Sequence, residues 1–157
     1  MTETLPPPQL EHVCDLAVTI SPPIEVGQTA AGLRRVIPIT GGVVKGPRLN
    51  GKVLAGGADF QLILAGGTQA HLDARYVIEL DDGTRVFVQN TALRFASLEN
   101  SQRIMRGEPV NPAEIYFRCQ PQLEAAGEKW AWLAESQFIG SGRRAPDGVF
   151  LSFYRVL

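Results

Sequence analysis

The sequence predicts an all-β domain, a sandwich or a barrel, from its turn residues, the length of its apolar segments and their spacing. The 16 Gly and 11 Pro among 157 residues amount to about 17%, against roughly 12% in an average protein. About eight short strand-like segments are separated by turn residues, and strand patterns do not alternate with helix patterns. With 45% hydrophobic and 20% charged residues, the chain has the composition of an ordered protein, and its length predicts one domain.

The N-terminal part of the chain predicts a tail followed by two strands. Residues 1–9 include three consecutive prolines, which favour an extended tail, so the ordered domain is expected over residues 10–157. Val13–Ile20 has strand composition and is followed by two prolines that cannot donate to a β-ladder. Leu33–Thr40 is the next expected strand, and Pro38 within it predicts an edge position or a bulge.

Glycine density marks the following part of the chain as a series of bends. Ten of the 16 glycines fall within residues 27–67, and the apolar segments between them are too short to form helices. We therefore expect short strands at Val43-Val44, Lys52–Leu54 and Asp59–Ala65.

The most regular alternation in the chain lies at His71–Leu80, which predicts a strand with one apolar face. This face either fills the core or forms a subunit interface, and if it points inward then Arg75 points outward. Asp82-Gly83 predicts a hairpin turn into a returning strand at Thr84–Thr91. The residues of the apolar face are Leu72, Ala74, Tyr76, Ile78 and Leu80.

The C-terminal part predicts one short helix and further strands. Ser97 is a candidate N-cap for a helix at Leu98–Arg106, because its hydroxyl can accept a hydrogen bond from a free N–H group of the first turn. The remaining expected elements are a strand at Ile115–Gln120, a helical turn at Trp130–Glu135, and a closing hairpin of Gln137–Arg143 and Gly148–Val156.

Charge and cysteine content disfavour several classes of function. The net charge of -1 gives no field that would draw the chain to nucleic acid or to an anionic membrane, and no apolar run approaches the ~20 residues that span a bilayer. Cys14 and Cys119 form no CxxC or Cys/His cluster, so no metal or cofactor is expected. The first residues carry no secretory signal pattern, which predicts a cytoplasmic protein with free thiols.

Two short patterns resemble catalytic motifs without meeting their requirements. Gly46–Lys52 approaches the phosphate-binding GxxxxGK[ST] loop, but Val53 replaces the hydroxyl residue and no helix pattern follows, so glycine-rich turns are the better interpretation. His71 and Asp73 share a strand face, where a carboxylate could orient the imidazole for acid–base work. A histidine at a strand end in contact with water is the more frequent case.

Charged side chains within apolar strands are the best candidates for chemistry. Asp59 begins an apolar strand directly after a glycine bend, so its carboxylate either caps that bend or opens inward. Arg75 and Arg118 lie at strand centres, where a charge that points inward needs a partner because burying it alone costs several kcal/mol. The aromatic candidates, which are equally compatible with packing, are Tyr76, Tyr116 and Trp132.

A series of short motifs occurs in a fixed order along the chain: Gly32–Gly42, Gly46-Pro47, Gly51, Gly56–Phe60, Ala74–Tyr76, Asp82-Gly83, Tyr116–Arg118, Trp132-Leu133 and Gly140. Each motif is weak alone, but the ordered set is specific, and through it residues 10–157 resemble the bacterial and fungal "domain of unknown function 3237" family. Phe60 is a departure from the family pattern, because members often carry Trp at this position.

The resemblance implies a closed antiparallel β-barrel of about eight strands with one or two short helices, similar in outline to the allene oxide cyclase and dirigent barrels. Those barrels hold small apolar molecules in the lumen and steer cyclisation or coupling without a cofactor. For this chain such a function is an analogy, because one fold hosts many functions. The motif positions that the resemblance offers as pocket residues are Arg35, Asp59, Arg75 and Tyr76.

The leading hypothesis is a barrel that binds a small, partly apolar or aromatic molecule in its lumen and acts on it as a cofactor-free cyclase, isomerase or lyase. Asp59 would be the general acid or base, and Arg35 or Arg75 would hold a developing oxyanion or a carboxylate. The alternatives are a carrier barrel without turnover and a structural oligomer with a filled core, and a homo-oligomer is expected. The expected ligand-binding residues are Arg35, Phe60, Tyr76, Tyr116, Arg118 and Trp132.

Overall fold

The computed structural model describes all of residues 1–157. The chain forms ten strands and one α-helix, and residues 1–9 carry no helix or strand. Short 3₁₀ helices lie at Ala65–Gly67, Pro112–Glu114 and Glu128–Leu133. The other elements are β1 (Leu10–Ile20), β2 (Ile24–Thr29), β3 (Gly32–Lys45), β4 (Gly51–Val53), β5 (Ala58–Leu64), β6 (Gln69–Leu80), β7 (Arg85–Phe95), α1 (Leu98–Met105), β8 (Tyr116–Ala125), β9 (Gln137–Ala145) and β10 (Gly148–Val156).

Eight of these strands close into an antiparallel barrel. The order around the barrel is β1, β10, β9, β8, β7, β6, β5 and β3, and β3 pairs with β1 to complete the circle. The other two strands extend it: β2 pairs with the N-terminal half of β3, and β4 pairs with both β3 and β6. The closed barrel that the family resemblance implied is confirmed.

Strand alternation gives the barrel an interior and an exterior face. In β6 the even-numbered residues point inward, with Ile78 fully buried and Leu72 and Tyr76 nearly so. Of the two alternatives for this apolar row, filling the barrel is therefore the one that holds. The even-numbered residues of β7 and the odd-numbered residues of β8 point inward in the same way, apart from small variations in burial.

Apolar side chains fill one half of the barrel. Leu16, Ile78, Val88 and Phe153 are fully buried there, and the 3₁₀ helix at Glu128–Leu133 covers this end. The opposite end is covered by α1, whose residue Met105 contacts the Arg35 guanidinium. The two ends thus differ in character, because the first is packed with hydrocarbon and the second contains polar groups and open space.

The strand pairing departs from the sequence expectation in two places. β3 runs unbroken through Gly41-Gly42, where two strands were expected, because its pairing with β1 continues across these glycines. β2 was not expected, since its six residues are mostly exposed and include a glycine. The ladder between β1 and β3 shifts register at Thr40, two residues beyond Pro38, close to the bulge that the proline predicted.

The C-terminal elements agree with the sequence prediction. The Ser97 side chain accepts a hydrogen bond from the Asn100 N–H group and caps α1, and β9 and β10 form the closing hairpin. The strand expected to end at Gln120 continues as β8 through Pro121, where its pairing with β9 has already ended. None of the helices has the length and hydrophobicity that crossing a membrane would require.

Candidate functional site

The end of the barrel beneath α1 contains two adjoining cavities. The lumen cavity, of about 70 Å³, has mainly apolar walls, such as Ile37 and Leu72, and includes Asp59 and Asn90. The vestibule, of about 220 Å³, lies between residues 104–117 and residues 142–146. Arg94, Phe117 and Arg144 border both spaces. Their combined size approaches the lower end of the ~300–1,000 Å³ that small-molecule sites occupy.

Asp59 supplies the carboxylate of the lumen cavity. Its Oδ2 accepts a hydrogen bond from Gln61 Nε2 at 2.9 Å, and its Oδ1 accepts one from the Asp73 backbone N–H at 3.1 Å. Burial raises the pKa of Asp59, while these hydrogen bonds and the charge of Arg94 offset part of the rise. Of the two alternatives, therefore, Asp59 opens into the lumen and does not cap the preceding glycine bend.

Arg94 and Arg144 are the lumen arginines, and sequence reasoning missed both of them. Arg94 lies on β7 with 9% of its surface exposed, and burial lowers its pKa to about 10. Burial also lowers the pKa of Arg144, on β9, and the charge of Arg35 adds to the effect. The ion pairs of the chain, defined by nitrogen–oxygen distances up to 4.0 Å, include neither guanidinium.

A sequence signal for Arg94 exists in the alternation of β7. The expected strand ended at Thr91, so its last inward residue was Asn90, and continuing this row by two further inward positions reaches Ala92 and then Arg94. For Arg144 no such signal is present, because the two adjacent arginines at 143 and 144 leave open which one faces inward.

Arg35 is buried as expected and lies near this end of the lumen. It is 3% exposed, pairs with Gln61 across the β3–β5 ladder, and forms an ion pair with Glu25 through Nε at 3.1 Å. Its Nη1 also approaches the sulfur of Met105 at 2.6 Å. Glu25 is therefore a counter-charge for Arg35, whereas Arg94 and Arg144 have no ion-pair partner.

Three further polar atoms in the lumen have no hydrogen-bond partner. They are the Tyr76 hydroxyl, Asn90 Oδ1 and Gln61 Oε1, and each belongs to a residue that is at most 4% exposed. Burial raises the pKa of Tyr76 well above its usual range, so its phenol remains a hydrogen-bond donor. Buried polar groups are normally paired, and unpaired ones that border a cavity mark a place where a polar ligand can bind.

The proposed position of Arg75 in the lumen is wrong. Its side chain is 54% exposed on the outer face of β6 and pairs with Asp73 at 3.1 Å. The reason is the two-residue period of the strand: once Tyr76 points inward, the adjacent Arg75 must point outward. His71 is exposed on the same outer face, away from the cavity.

Four other predicted ligand residues also lie away from the cavity. Phe60, Tyr116 and Arg118 point outward from β5 and β8, since their neighbours in the strands point inward. Trp132 lies at the opposite, filled end of the barrel, where it packs near Phe138. These positions correct their assignment to the lumen, whereas Arg35, Asp59 and Tyr76 have inward positions.

The arrangement combines an oriented carboxylate, uncompensated cations and an apolar wall. Such a set can move a proton on a bound molecule and stabilise negative charge on it. No group of three or more His, Cys, Asp or Glu side chains is arranged to hold a metal ion. The buried Cys14 and Cys119 are unbridged.

Comparison with known proteins identifies close relatives of the chain. The profile of the family described as protein of unknown function (DUF3237) matches residues 8–156. A UPF0311 protein of Rhodopseudomonas palustris strain TIE-1 is 41% identical over 157 residues, the full length of both chains. A UPF0311 protein of Clostridium acetobutylicum is 37% identical over 147 residues, which cover 93% of this chain and 92% of that protein.

Solved structures show the same architecture. The crystal structure of a conserved protein of unknown function from Rhodopseudomonas palustris has a TM-score of 0.90 at 38% identity and covers 98% of this chain and 100% of that one. A beta-barrel like protein from Acinetobacter baumannii has a TM-score of 0.85 at 35% identity and covers 99% and 100%.

Two matches lead to the fungus Penicillium herquei. A protein named hydroalkoxylation enzyme is 33% identical over 86 residues, which span 55% of this chain and 56% of that protein. The crystal structure of an enzyme from the same fungus has a TM-score of 0.75 at 22% identity over the full length of both chains, a similarity that concerns the fold.

Proposed function

The chain belongs to the DUF3237 family, and from this premise we propose that its barrel binds a small, partly apolar molecule in the lumen and catalyses a proton-transfer reaction on it. The reaction class is a cyclisation, isomerisation or elimination that uses the protein's own side chains. Asp59 is the general acid and base of this reaction, and Arg94 stabilises the negative charge that develops.

The observation that carries the proposal is the environment of Asp59. Burial raises the pKa of the Asp59 carboxyl, so it holds a proton more readily than an exposed carboxyl does and can act as an acid as well as a base, which general acid–base catalysis requires. Its hydrogen bonds to Gln61 and to the Asp73 backbone fix its orientation toward the cavity. The nearby charge of Arg94 is held in a buried setting, where its effect on a developing oxyanion is strongest.

These groups are sufficient for a balanced addition or elimination. Protonated Asp59 gives its proton to a carbon or oxygen atom of the substrate, an internal hydroxyl attacks the activated centre, and the Asp59 carboxylate takes the proton that this hydroxyl releases. No electrons leave or enter the substrate, so the step needs no oxidant or reductant. Tyr76 and Asn90, whose polar atoms are free, orient the substrate oxygen atoms.

The fungal relative supports this reaction class. Its printed name denotes hydroalkoxylation, the addition of an O–H group across a carbon–carbon double bond, which belongs to the same class of net proton transfer. The overlap with that protein covers about half of each chain, so we take from it the class of reaction and not the substrate.

The proposal is tested by incubating the purified protein in D₂O with a small-molecule extract of the cells that produce it and following conversion by mass spectrometry. The wild type should convert at least one compound with deuterium incorporation. Asp59→Asn should abolish this conversion, because the amide keeps the shape of the side chain but cannot transfer a proton. The matched control Asp81→Asn changes an exposed carboxylate in the turn between β6 and β7 and should convert the same compound at the wild-type rate.

Three outcomes contradict the proposal. Conversion by Asp59→Asn at the wild-type rate excludes Asp59 as the acid–base group. Equal loss in Asp59→Asn and Asp81→Asn indicates a general structural effect. Absence of conversion, combined with a small molecule retained in native mass spectra, excludes catalysis and favours a carrier barrel.

A further inference from the structure

We infer that the natural ligand is a small organic acid, an apolar or aromatic body that ends in a carboxylate, with the carboxylate bound between Arg94 and Arg144. This inference names the ligand class of the site described above and therefore rests on the proposed function. It is carried by the charge balance of the cavity, by the geometry of its two arginines and by the distribution of its apolar surface.

The charge balance leaves positive charge without a counter-ion. Arg94 and Arg144 border both the lumen cavity and the vestibule, and neither takes part in any ion pair or side-chain hydrogen bond of the chain. A guanidinium that is nine-tenths buried without a partner is costly, and proteins normally pair such a group. At least one positive charge in this region is uncompensated even when Asp59 is ionised.

The acidic side chains nearby are already engaged. Asp59 accepts hydrogen bonds on both of its oxygen atoms, from Gln61 and from the Asp73 backbone. Glu108, the acidic residue that lines the vestibule, accepts two hydrogen bonds from Arg106, at 2.8 and 3.1 Å. Neither carboxylate reaches Arg94 or Arg144 within ion-pair distance, so an anion has to come from outside the chain.

The two arginines lie on β7 and β9, the two strands that flank β8 in the barrel. Arg94 on β7 lies opposite Phe117 on β8, and Arg144 lies on β9, the next strand around the barrel. The aromatic ring of Phe117 therefore sits on the strand between two guanidinium-bearing strands, at the boundary of the lumen cavity and the vestibule. A carboxylate there can accept hydrogen bonds from both arginines, and guanidinium groups suit carboxylate geometry well.

The apolar walls define the rest of the ligand. Deeper in the lumen the cavity is bordered by Ile37, Leu72 and Leu151, which favour a hydrocarbon or aromatic body. Asp59 lies on the wall of this deeper part, so a reactive atom next to it would belong to the apolar body and not to the carboxylate. The charge of Arg94, which also acts on Asp59, reaches both the bound carboxylate and this reactive atom. The site thus distinguishes a binding end from a reacting end of the same molecule.

The test compares charged and neutral probes of the same shape by calorimetry near neutral pH. The pairs are benzoate and benzamide, cinnamate and cinnamamide, and 4-phenylbutyrate and 4-phenylbutyramide, so that three body lengths are covered. We expect at least one carboxylate to bind about tenfold or more tightly than its amide, a difference equal to about 1.4 kcal/mol. Arg94→Met and Arg144→Met should each remove most of this preference while leaving amide binding within a factor of about two.

Matched variants separate the site from general charge effects. Arg75→Met changes an arginine on the outer face of β6, whose side chain is 54% exposed, and should leave the preference unchanged. Arg94→Lys keeps the charge without the planar fork and should restore part of the preference, which also guards against a misfolded Arg94→Met protein. Loss of preference in Arg75→Met equal to that in Arg94→Met overturns the inference. So does equal affinity for both members of every pair, or failure of all three carboxylates to bind at millimolar concentration.

Asp59→Asn distinguishes this inference from the proposed function. Removing the negative charge of Asp59 should leave carboxylate binding intact or strengthen it, although the same change abolishes conversion in the D₂O experiment. If the carboxylate preference is present but conversion does not depend on Asp59, then the proposed function fails alone. If conversion depends on Asp59 but no carboxylate preference exists, then the inference about the ligand fails alone.

Discussion

Replacing Arg94 by Met should stabilise the ligand-free protein, because the native state carries the cost of an unpaired buried charge. Burial is the main cause that lowers the pKa of Arg94 from the ordinary value of an arginine side chain to about 10. At about 1.4 kcal/mol per pKa unit, keeping this charge in the barrel costs about 3 kcal/mol. Met has a similar length and no charge, and since Asp59 loses a favourable neighbour, we expect a net gain of about 1–3 kcal/mol.

Thermal unfolding followed by circular dichroism measures this gain. For a chain of this size each kcal/mol corresponds to about 2–4 °C, so the melting temperature of Arg94→Met should rise by about 2–12 °C. Between about pH 10 and pH 12.5 the folded wild type binds fewer protons than the unfolded chain. The loss of stability that Arg94 causes is therefore complete below pH 10 and decreases as the pH rises through that window. A melting temperature for Arg94→Met below that of the wild type would refute the reasoning, because it would mean that the guanidinium is paired.

The remaining predictions concern the carboxylate, the barrel wall and the thiols. Because the pKa of Asp59 is raised, the folded state holds its proton more firmly than the unfolded state does, and wild-type stability should fall as the pH rises through the folded pKa. Asp59→Asn should show a flatter profile of urea-unfolding stability between the ordinary carboxyl pKa and the raised one, and identical slopes for the two proteins would contradict the assigned pKa direction. Gly142→Ala should cost about 1–3 kcal/mol, because a Cβ at that position would lie 2.5 Å from the Phe117 ring. Denaturant unfolding measures this cost, and no change in the midpoint would exclude the clash. Cys14 and Cys119, whose pKa values burial raises to about 12 and about 11, should react with Ellman's reagent only after unfolding, and rapid reaction of the native protein would argue against their burial.

The alternation within single strands was predictable from the sequence. The apolar row of β6 identified one face of that strand, and the placement of Tyr76 inside and Arg75 outside follows from it. Asp59 was identified because an ionisable group after a glycine bend at the start of an apolar strand requires an explanation. Both inferences depend on neighbours only a few residues away in the chain, and local steric rules govern such neighbours.

The arginines that share the cavity with Asp59 were not predictable in this way. Arg94 and Arg144 lie 35 and 85 residues further along the chain, and they border the same cavity as Asp59 because three different strands, β5, β7 and β9, contribute to its wall. Trp132 has a motif position in the sequence, yet the barrel places it at the end away from the cavity. Neither result follows from the spacing of residues in the sequence, because the pairing between distant strands determines which residues lie at the same height along the barrel axis.

The sequence by itself determined the family, the all-β class, the capped helix α1 and the alternation of individual strands. The family follows from the ordered set of short motifs, and the other three depend on turn chemistry, capping or the two-residue period, which act over a few residues. Only the tertiary structure decided which faces point inward together, which end of the barrel remains open and which arginines border Asp59. Those properties depend on the register with which β3 closes on β1 and on the stagger of all eight strands, and closure is a property of the whole chain.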